Sequence, residues 1–389
     1  QFEAKPDQEQ YCEPNGKILE LPDLTGLASQ LARVFSQGNN QEVVGYLFKS
    51  TSRKREIYLA GLRQMLDRIP GELRLNQNRI NSFLAHKMAT EFCGDVAESL
   101  LVTGRYSTLG QTLLHYSAFT PDYLRRIYIE VVSSILEQGG REGVQSDACW
   151  KHALPDTGRI GSLLMPSTYH VKQALSGMVD VIRQLRGSNR TADIIRSHNL
   201  HAMYTVLMQG FATGYRAVTD PFPAAQSINE ETGLCVISDK DGDDFYNTRL
   251  VWIPPIVLRQ KARFDDQRRR IVPMILSRFP DLANSIPEVF LLSERFEPLP
   301  VRPGTADPVL AHFLPLPLNT NRRYLRTRLR ELGCPGEVTN AFMGHWGRGQ
   351  EPWGKFSSVS PLAMIEAVKP FIEIILKELD FKVLKGPLT

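Results

Sequence analysis

The chain has 389 residues, 42% of them hydrophobic and 23% charged, with a formal net charge of +4 at pH 7. These values are ordinary for a globular protein of two or three domains, and so small a net charge is weak evidence for a polyanionic partner. No run approaches 18 apolar residues, so no membrane-spanning helix is predicted. The five cysteines are widely scattered and include no CxxC pair. This pattern argues against a disulfide scaffold or a zinc site and favours a reducing compartment.

The first half of the chain is predicted to be helical. Residues 1–22 are polar and rich in Gln and Glu, and we expect a flexible N-terminal arm. From residue 24 to about residue 139, apolar residues recur at intervals of three and four, with Gly and Pro between the segments. The run 139–161 breaks this pattern and resembles a linker. We therefore predict a helical domain over residues 23–150.

In the second half of the chain, the helical spacing of apolar residues is interrupted once by a β-rich region. After two further helical segments, the β-rich runs Leu234 to Ser238 and Asn247 to Ile253 flank the turn cluster "DKDGDD", which predicts a β-hairpin. Helix returns after Pro254, residues 298–317 are Pro-rich and predicted to be irregular, and an arginine-rich helix and one or two C-terminal helices follow. The predicted fold class is mainly α, with a second domain over residues 160–389 that contains one small antiparallel hairpin.

Basic side chains in the second half occur in an order that suits phosphodiester chemistry. Cleavage without a metal requires cationic donors around the nonbridging oxygens, and arginine is the best of these because its planar fork gives two parallel hydrogen bonds. A nucleophile and a general acid complete such a site. The chain presents, in order, the residues Arg216, Lys240, Arg322, His345 and Phe356.

This order resembles the catalytic domain of the tyrosine recombinase (phage integrase) family. "TGYR" resembles the family segment "TGLR", which places the first catalytic arginine at Arg216, and a lysine in a hairpin turn matches the family's general acid at Lys240. Laid on "NTNRRYLRTRLRELG", the family box "HxLRHTxAxxLxxxG" places the second arginine at Arg322. "MGHW" then supplies the third-box histidine, His345. A rival register, which uses Arg323 and Arg326 as an "RxxR" version of the box, places the later Gly and His four residues too early and is less favoured. The arginines that follow Arg322, namely Arg326, Arg328 and Arg330, are expected to face DNA or solvent.

The chain departs from the family pattern at three positions. Asn319 stands where the box begins with histidine, so it is a candidate phosphate contact but not a proton donor. Thr219, with Asp220 beside it, stands where the family has an acidic residue. Phe356 stands at the position of the nucleophilic tyrosine, and no tyrosine follows His345.

Three interpretations of Phe356 stay open. It is a core aromatic unrelated to a nucleophile, or it belongs to a natural recombinase-like DNA binder without chemistry, or it replaces a tyrosine by engineering. The last change removes only the attacking oxygen, so DNA binding should survive while strand cleavage stops.

By resemblance, the expected function is site-specific DNA recombination through a 3′-phosphotyrosyl intermediate. A tyrosine at position 356 would attack, Arg216, Arg322 and His345 would stabilise the transition state, and Lys240 would protonate the 5′-oxygen. The resemblance implies no metal or other cofactor, double-stranded DNA as partner, a DNA-bound tetramer with C-terminal helix contacts, and a cytoplasmic, nucleoid-associated location. With phenylalanine at 356 the enzyme is expected to be inactive.

Other interpretations are a silent recombinase-fold accessory protein, a helical interaction protein whose arginines are solvated, and a type IB topoisomerase. The basic run 259–270 fits a phosphate track or a solvated helix face equally well. The pair His198 and His201 lacks a third ligand and is not interpreted as a metal site, and Trp346 and Trp353 are expected to pack in loops.

Overall fold

The computed structural model describes residues 4–16, 18–26, 56–57, 60–61, 63–65, 68, 76–104, 111–140, 158–216, 221–222, 227–229, 231–238, 248–346, 352–355 and 357–388. The α-helices in these ranges are α1 (Gln77–Lys87), α2 (Val96–Thr103), α3 (Gln111–Leu114), α4 (Pro121–Gln138), α5 (Thr168–Gln184), α6 (Thr191–Thr213), α7 (Pro255–Leu276), α8 (Pro303–Leu310), α9 (Thr320–Glu331), α10 (Gly336–Met343) and α11 (Pro361–Glu378). The strands are β1 (Ala118–Phe119), β2 (Ile160–Gly161), β3 (Leu234–Ser238), β4 (Thr248–Trp252), β5 (Phe290–Leu292) and β6 (Pro298–Pro300). In this part of the chain, no helix combines the length and apolar character needed to cross a membrane.

The chain divides into two units that differ from the predicted domains. One unit combines Gln1–Lys17, Thr108–Thr120 and Thr157–Thr389, and the other combines Ile18–Ser107 and Pro121–Asp156. The smaller unit contains α1, α2 and α4, with α2 packed against both other helices. Asn76 and Asp95 begin α1 and α2 by accepting hydrogen bonds from backbone N–H groups of the first turn.

The predicted flexible arm is not loose in residues 4–16. The N–H of Glu13 donates to the carbonyl of Met165 at 2.8 Å, and the N–H of Gly16 donates to the carbonyl of Arg159 at 2.8 Å. The amide of Gln8 also donates to the carbonyl of Pro315 at 2.7 Å. Although this segment is mostly polar, hydrogen bonds to the backbone of distant residues hold it in place. It therefore belongs to the larger unit.

Helix α6 forms the centre of the larger unit. Every residue from Leu200 to Thr213 is buried, because apolar or small side chains occur on all sides of this helix. Helices α5, α7, α8, α9 and α11 and strand β5 all pack against α6. Helix α6 therefore lies against α9, which carries Arg322, and its own C-terminal end leads to Arg216.

The small sheets agree only in part with the sequence prediction. The predicted hairpin is confirmed: β3 and β4 are antiparallel, from Leu234 opposite Trp252 to Ser238 opposite Thr248. The expectation that residues 298–317 are irregular is wrong, because β6 pairs with β5 and α8 begins at Pro303. Proline is accepted at the first helical position, where its missing N–H would have had no partner within the helix.

The C-terminal helix buries its apolar face within the same unit. Met364, Val368, Ile372 and Ile375 of α11 are at most 3% exposed and belong to the large core cluster. The apolar stripe expected to contact a neighbouring protomer is thus covered by the chain itself, which leaves Leu362 and Ile374 as exposed apolar side chains of this helix.

His198 and His201 lie on α6 inside the core. Nε2 of His198 lies 3.1 Å from the carbonyl oxygen of Phe290, and Nε2 of His201 lies 3.1 Å from the amide nitrogen of Gln260. Burial lowers the pKa of His198 to about 3 and that of His201 to about 4. No group of three potential metal-ligating side chains occurs among the described residues.

These two histidines predict a loss of stability in mild acid. Below pH 6.5 the unfolded chain takes up protons that the folded chain excludes, so the free energy of unfolding falls as pH falls. Each histidine contributes about 1.4 kcal/mol per pH unit until the pH approaches its folded-state pKa. Denaturant unfolding between pH 7 and pH 5 should show this slope, reduced by one histidine's share in His198→Gln. The exposed His312→Gln is the control, and an equal slope in His198→Gln and the parent would contradict the expectation.

Candidate functional site

Two helices of the larger unit end beside each other, each at a glycine whose backbone has the left-handed conformation. Helix α6 ends at Gly214, with φ of 64°, and α10 ends at Gly344, with φ of 69°. The positive φ at Gly214 favours glycine, and a Cβ there would also lie 3.1 Å from Cε of Met343, so that side chain would have to shift. The two turns bring Arg216 and His345, which follow these glycines, into one region.

Two buried arginines hold these helix ends together. Nη1 of Arg249, on β4, donates to the carbonyls of Thr213 at 2.8 Å and Phe342 at 2.6 Å, and Nη2 donates to the carbonyl of Gly214 at 3.1 Å. Arg322, in the first turn of α9, donates from Nη1 to the carbonyl of Gly214 at 2.7 Å and from Nη2 to that of Met343 at 2.6 Å.

The helix ends explain why these guanidinium groups are stable without exposure to water. Arg249 and Arg322 are at most 1% exposed. The last carbonyls of a helix have no partner within the helix and carry partial negative charge, so they stabilise a nearby cation. The carbonyls of α6 and α10 supply this stabilisation on two sides.

His345 lies against Arg322 in a defined tautomer. Nε2 of His345 lies 3.3 Å from Nη2 of Arg322. A guanidinium can only donate, so Nε2 must accept and the proton of the neutral ring is on Nδ1. Nδ1 is buried and has no hydrogen-bond partner among the described residues. Its proton therefore has no acceptor among the described residues.

Burial holds His345 in the neutral form. Desolvation lowers its pKa well below the usual value, and the positive charges of Arg322, Arg326, Arg216 and Arg249 lower it further. At neutral pH the site therefore combines permanent guanidinium charges with a neutral imidazole N–H donor. Such a set is suited to binding an oxyanion.

An unpredicted residue, Tyr116, lies at the centre of this cluster. Its ring stacks on His345 with a centroid distance of 5.0 Å and an interplanar angle of 27°. The Cζ atoms of Arg216, Arg322 and Arg323 lie 6.0, 5.4 and 5.6 Å from its centroid. The sequence carries no signal for this, because "HYSAF" matches no motif and lies far from the motifs it joins.

The other arginines of α9 are structural, contrary to the expectation that those after Arg322 face solvent or DNA. Arg326 is fully buried, and the guanidinium of Arg330 donates to the carbonyl of Cys334. Arg328 binds Glu378 bidentately at 2.8 and 3.0 Å and Glu331 at 2.8 Å. These partners lie within the chain, so the arginine excess of α9 serves packing between elements.

The remaining candidates occupy different positions. Asn319 stands at the N-cap position of α9 without capping the helix; its Oδ1 accepts from Nη1 of Arg323 at 3.2 Å. Lys240 and Phe356, like Thr219 and Asp220, lie outside the described residues, so their predicted placement in the site stays a prediction. Trp353 is partly buried against the large core, as expected of a packing residue.

Helix α7 carries the basic run 259–270 on a mixed surface. Arg259, Arg263 and Arg270 are exposed, while Arg269 and Arg263 pair with Asp266 on the same helix. These ion pairs reduce the positive charge of the face, and both interpretations of the run remain open.

Comparisons with known proteins give one kind of match. No family model matches the sequence, and no curated protein matches it. Among solved structures, two of the Tn1549 transposon integrase align with the chain, one in complex with transposon right-end DNA and one with a circular-intermediate DNA. Both have 11% identity and a TM-score of 0.29; the first covers 88% and the second 89% of this chain, and each covers 99% of the solved chain. Values this low establish no shared fold, so the functional interpretation rests on the side chains of this chain.

Proposed function

We propose that this chain binds double-stranded DNA and holds one phosphodiester against Arg216, Arg322 and His345, in the manner of a tyrosine recombinase. The observation that carries this proposal is the contact between Arg322 and His345. Arg216 and Arg322 also lie beside one aromatic ring, that of Tyr116. Sequence motifs far apart in the chain thus meet in one cationic cluster, which supports a common ligand with several negative oxygens.

The proposed roles follow from the donors that each side chain offers. Arg216 and Arg322 would neutralise nonbridging phosphate oxygens, and the Nδ1–H of neutral His345 would donate to one of them. The amide nitrogen of Asn319 would add a further donor. Lys240, on the predicted hairpin turn, would give its proton to the 5′-oxygen that leaves.

Position 356 decides whether the bound phosphodiester reacts. A tyrosine there would form a bond from its phenolic oxygen to phosphorus while the bond from phosphorus to the 5′-oxygen breaks, and the phenolic proton would pass to water. Tyr324 cannot replace it, because it is fully buried and its hydroxyl pairs with Thr168 at 3.0 Å. A tetramer on DNA and a nucleoid location belong to the same proposal.

Phenylalanine at 356 also favours a second candidate function. A natural phenylalanine would make this chain a catalytically silent DNA-binding protein with the same phosphate cluster. The two candidates share DNA binding and differ only in chemistry.

The test introduces Phe356→Tyr and incubates the protein with a pool of nicked duplexes that carry randomised sequence. We expect a covalent protein–DNA adduct that resists denaturing electrophoresis and that disappears when Arg322→Ala is added. Phe313→Tyr, which places a tyrosine elsewhere in the same unit, is the matched control and should give none. Salt-dependent DNA binding without an adduct would leave the silent candidate, and absence of salt-dependent binding would contradict both.

A further inference from the structure

Tyr116 is the shared neighbour of the cationic cluster, and no sequence motif assigns it a role. Its ring contacts the imidazole of His345 and lies within 6.0 Å of the Cζ atoms of Arg216, Arg322 and Arg323. The face of an aromatic ring carries negative charge density that attracts cations. One ring therefore lowers the mutual repulsion of three guanidinium groups that must stay close together.

The backbone on both sides of Tyr116 is fixed to the rest of the unit. The carbonyl of His115 accepts from Nε of Arg323 at 3.1 Å, and the N–H of Ala118 donates to the hydroxyl of Thr327 at 3.1 Å. The carbonyl of Ala118 accepts from Nη1 of Arg159 at 2.8 Å. Two of these partners are on α9, the helix that carries Arg322. The ring thus has a fixed position relative to the arginine that it contacts.

Stacking also limits the freedom of His345. The imidazole has one contact through Nε2, to Arg322, and a second through its face, to Tyr116. Together these contacts fix the plane of the ring and hence the direction of Nδ1–H. The phenol ring covers one face of the imidazole.

We propose that Tyr116 is a positioning residue of the phosphate site: its ring, not its hydroxyl, orients His345 and holds the guanidinium groups of Arg216 and Arg322 together. This inference rests on the proposed function and adds a residue that belongs to none of the recombinase-like motifs. It assigns the segment around Tyr116 to the site although most of the neighbouring sequence belongs to the other unit.

The first test compares Tyr116→Phe with Tyr116→Leu in the Phe356→Tyr protein. Phenylalanine keeps the ring, so the rate of adduct formation at saturating DNA should stay within about twofold of the parent. Leucine removes the ring, and the rate should fall at least about tenfold while the Kd for DNA changes less than about threefold. Tyr116→Met fills a similar volume without a π face and replaces leucine if that variant does not fold.

The second test needs no reaction and separates this inference from the proposed function. Nuclear magnetic resonance of the His345 ring, assigned with His345→Gln, should show that Tyr116→Leu shifts its ring protons and raises its pKa toward the ordinary value. Tyr116→Phe should change neither. If Phe356→Tyr forms no adduct, the proposed strand cleavage fails while this titration still tests the ring. A Tyr116→Leu protein that matches the parent in both tests, or a Tyr116→Phe protein as defective as leucine, would overturn the inference.

Discussion

Replacing Arg249 with methionine is expected to lower the free energy of unfolding by about 3 kcal/mol. Methionine fills the space of the side-chain stem but donates no hydrogen bond. The carbonyls of Thr213 and Phe342, both in fully buried residues, would each lose the donor that Arg249 supplies. A buried acceptor without a partner costs about 1–3 kcal/mol, and two such groups give the expected size.

The control for Arg249→Met is Arg263→Met on α7. Arg263 is exposed, and its contact with Asp266 is a surface ion pair at 3.5 Å. Surface pairs contribute little, so this variant should change the free energy of unfolding by less than about 0.5 kcal/mol. Denaturant unfolding of both variants measures the difference. Equal stability of Arg249→Met and the parent would show that the helix ends do not depend on this guanidinium.

Replacing Arg322 with lysine in the Phe356→Tyr protein is expected to slow adduct formation about 100-fold. Lysine keeps the positive charge but loses the planar fork that reaches the carbonyls of Gly214 and Met343 in parallel. Its ammonium group cannot make both contacts and also face a phosphate oxygen in the same geometry. DNA affinity should change much less, because charge dominates binding to the DNA backbone.

Arg328→Lys is the matched control for Arg322→Lys. It changes the same residue type on the same helix, but Arg328 contacts Glu331 and Glu378 instead of the site. A lysine there can keep an ion pair, so the rate of adduct formation should stay close to that of the parent. Single-turnover rates at saturating DNA compare the two variants. Equal rates for both would remove Arg322 from the proposed chemistry.

The sequence was sufficient for features that depend on local pattern. The β3–β4 hairpin was predicted because a turn cluster separates two β-rich runs, and α6 was predicted from its dense apolar content. The turn that carries Arg216 could be located because "TGYR" ends an apolar helix in a glycine. Each of these signals lies within a short stretch of chain.

The features that the sequence did not predict depend on partners without a side-chain signature. Arg249 and Arg322 bind backbone carbonyls, which every residue has, so no residue type marks the partner. Arg328 was expected to face DNA or solvent, because its partner Glu378 lies on a helix far along the chain. Tyr116 joins the site only because α9 fixes the backbone around it. Such contacts follow from tertiary packing rather than from periodicity.

The carbonyl oxygen of Gly214 accepts hydrogen bonds from both Arg249 and Arg322. A displacement of this one atom would disturb the hairpin strand β4 and the helix α9 at the same time. The turns after α6 and α10 therefore cannot adjust separately to a ligand. When DNA binds, we expect the side chains of the cationic cluster to move together or not at all. Its selectivity would then be set by whether a phosphate fits the whole arrangement, since no single side chain can move to meet a poor fit without moving the others.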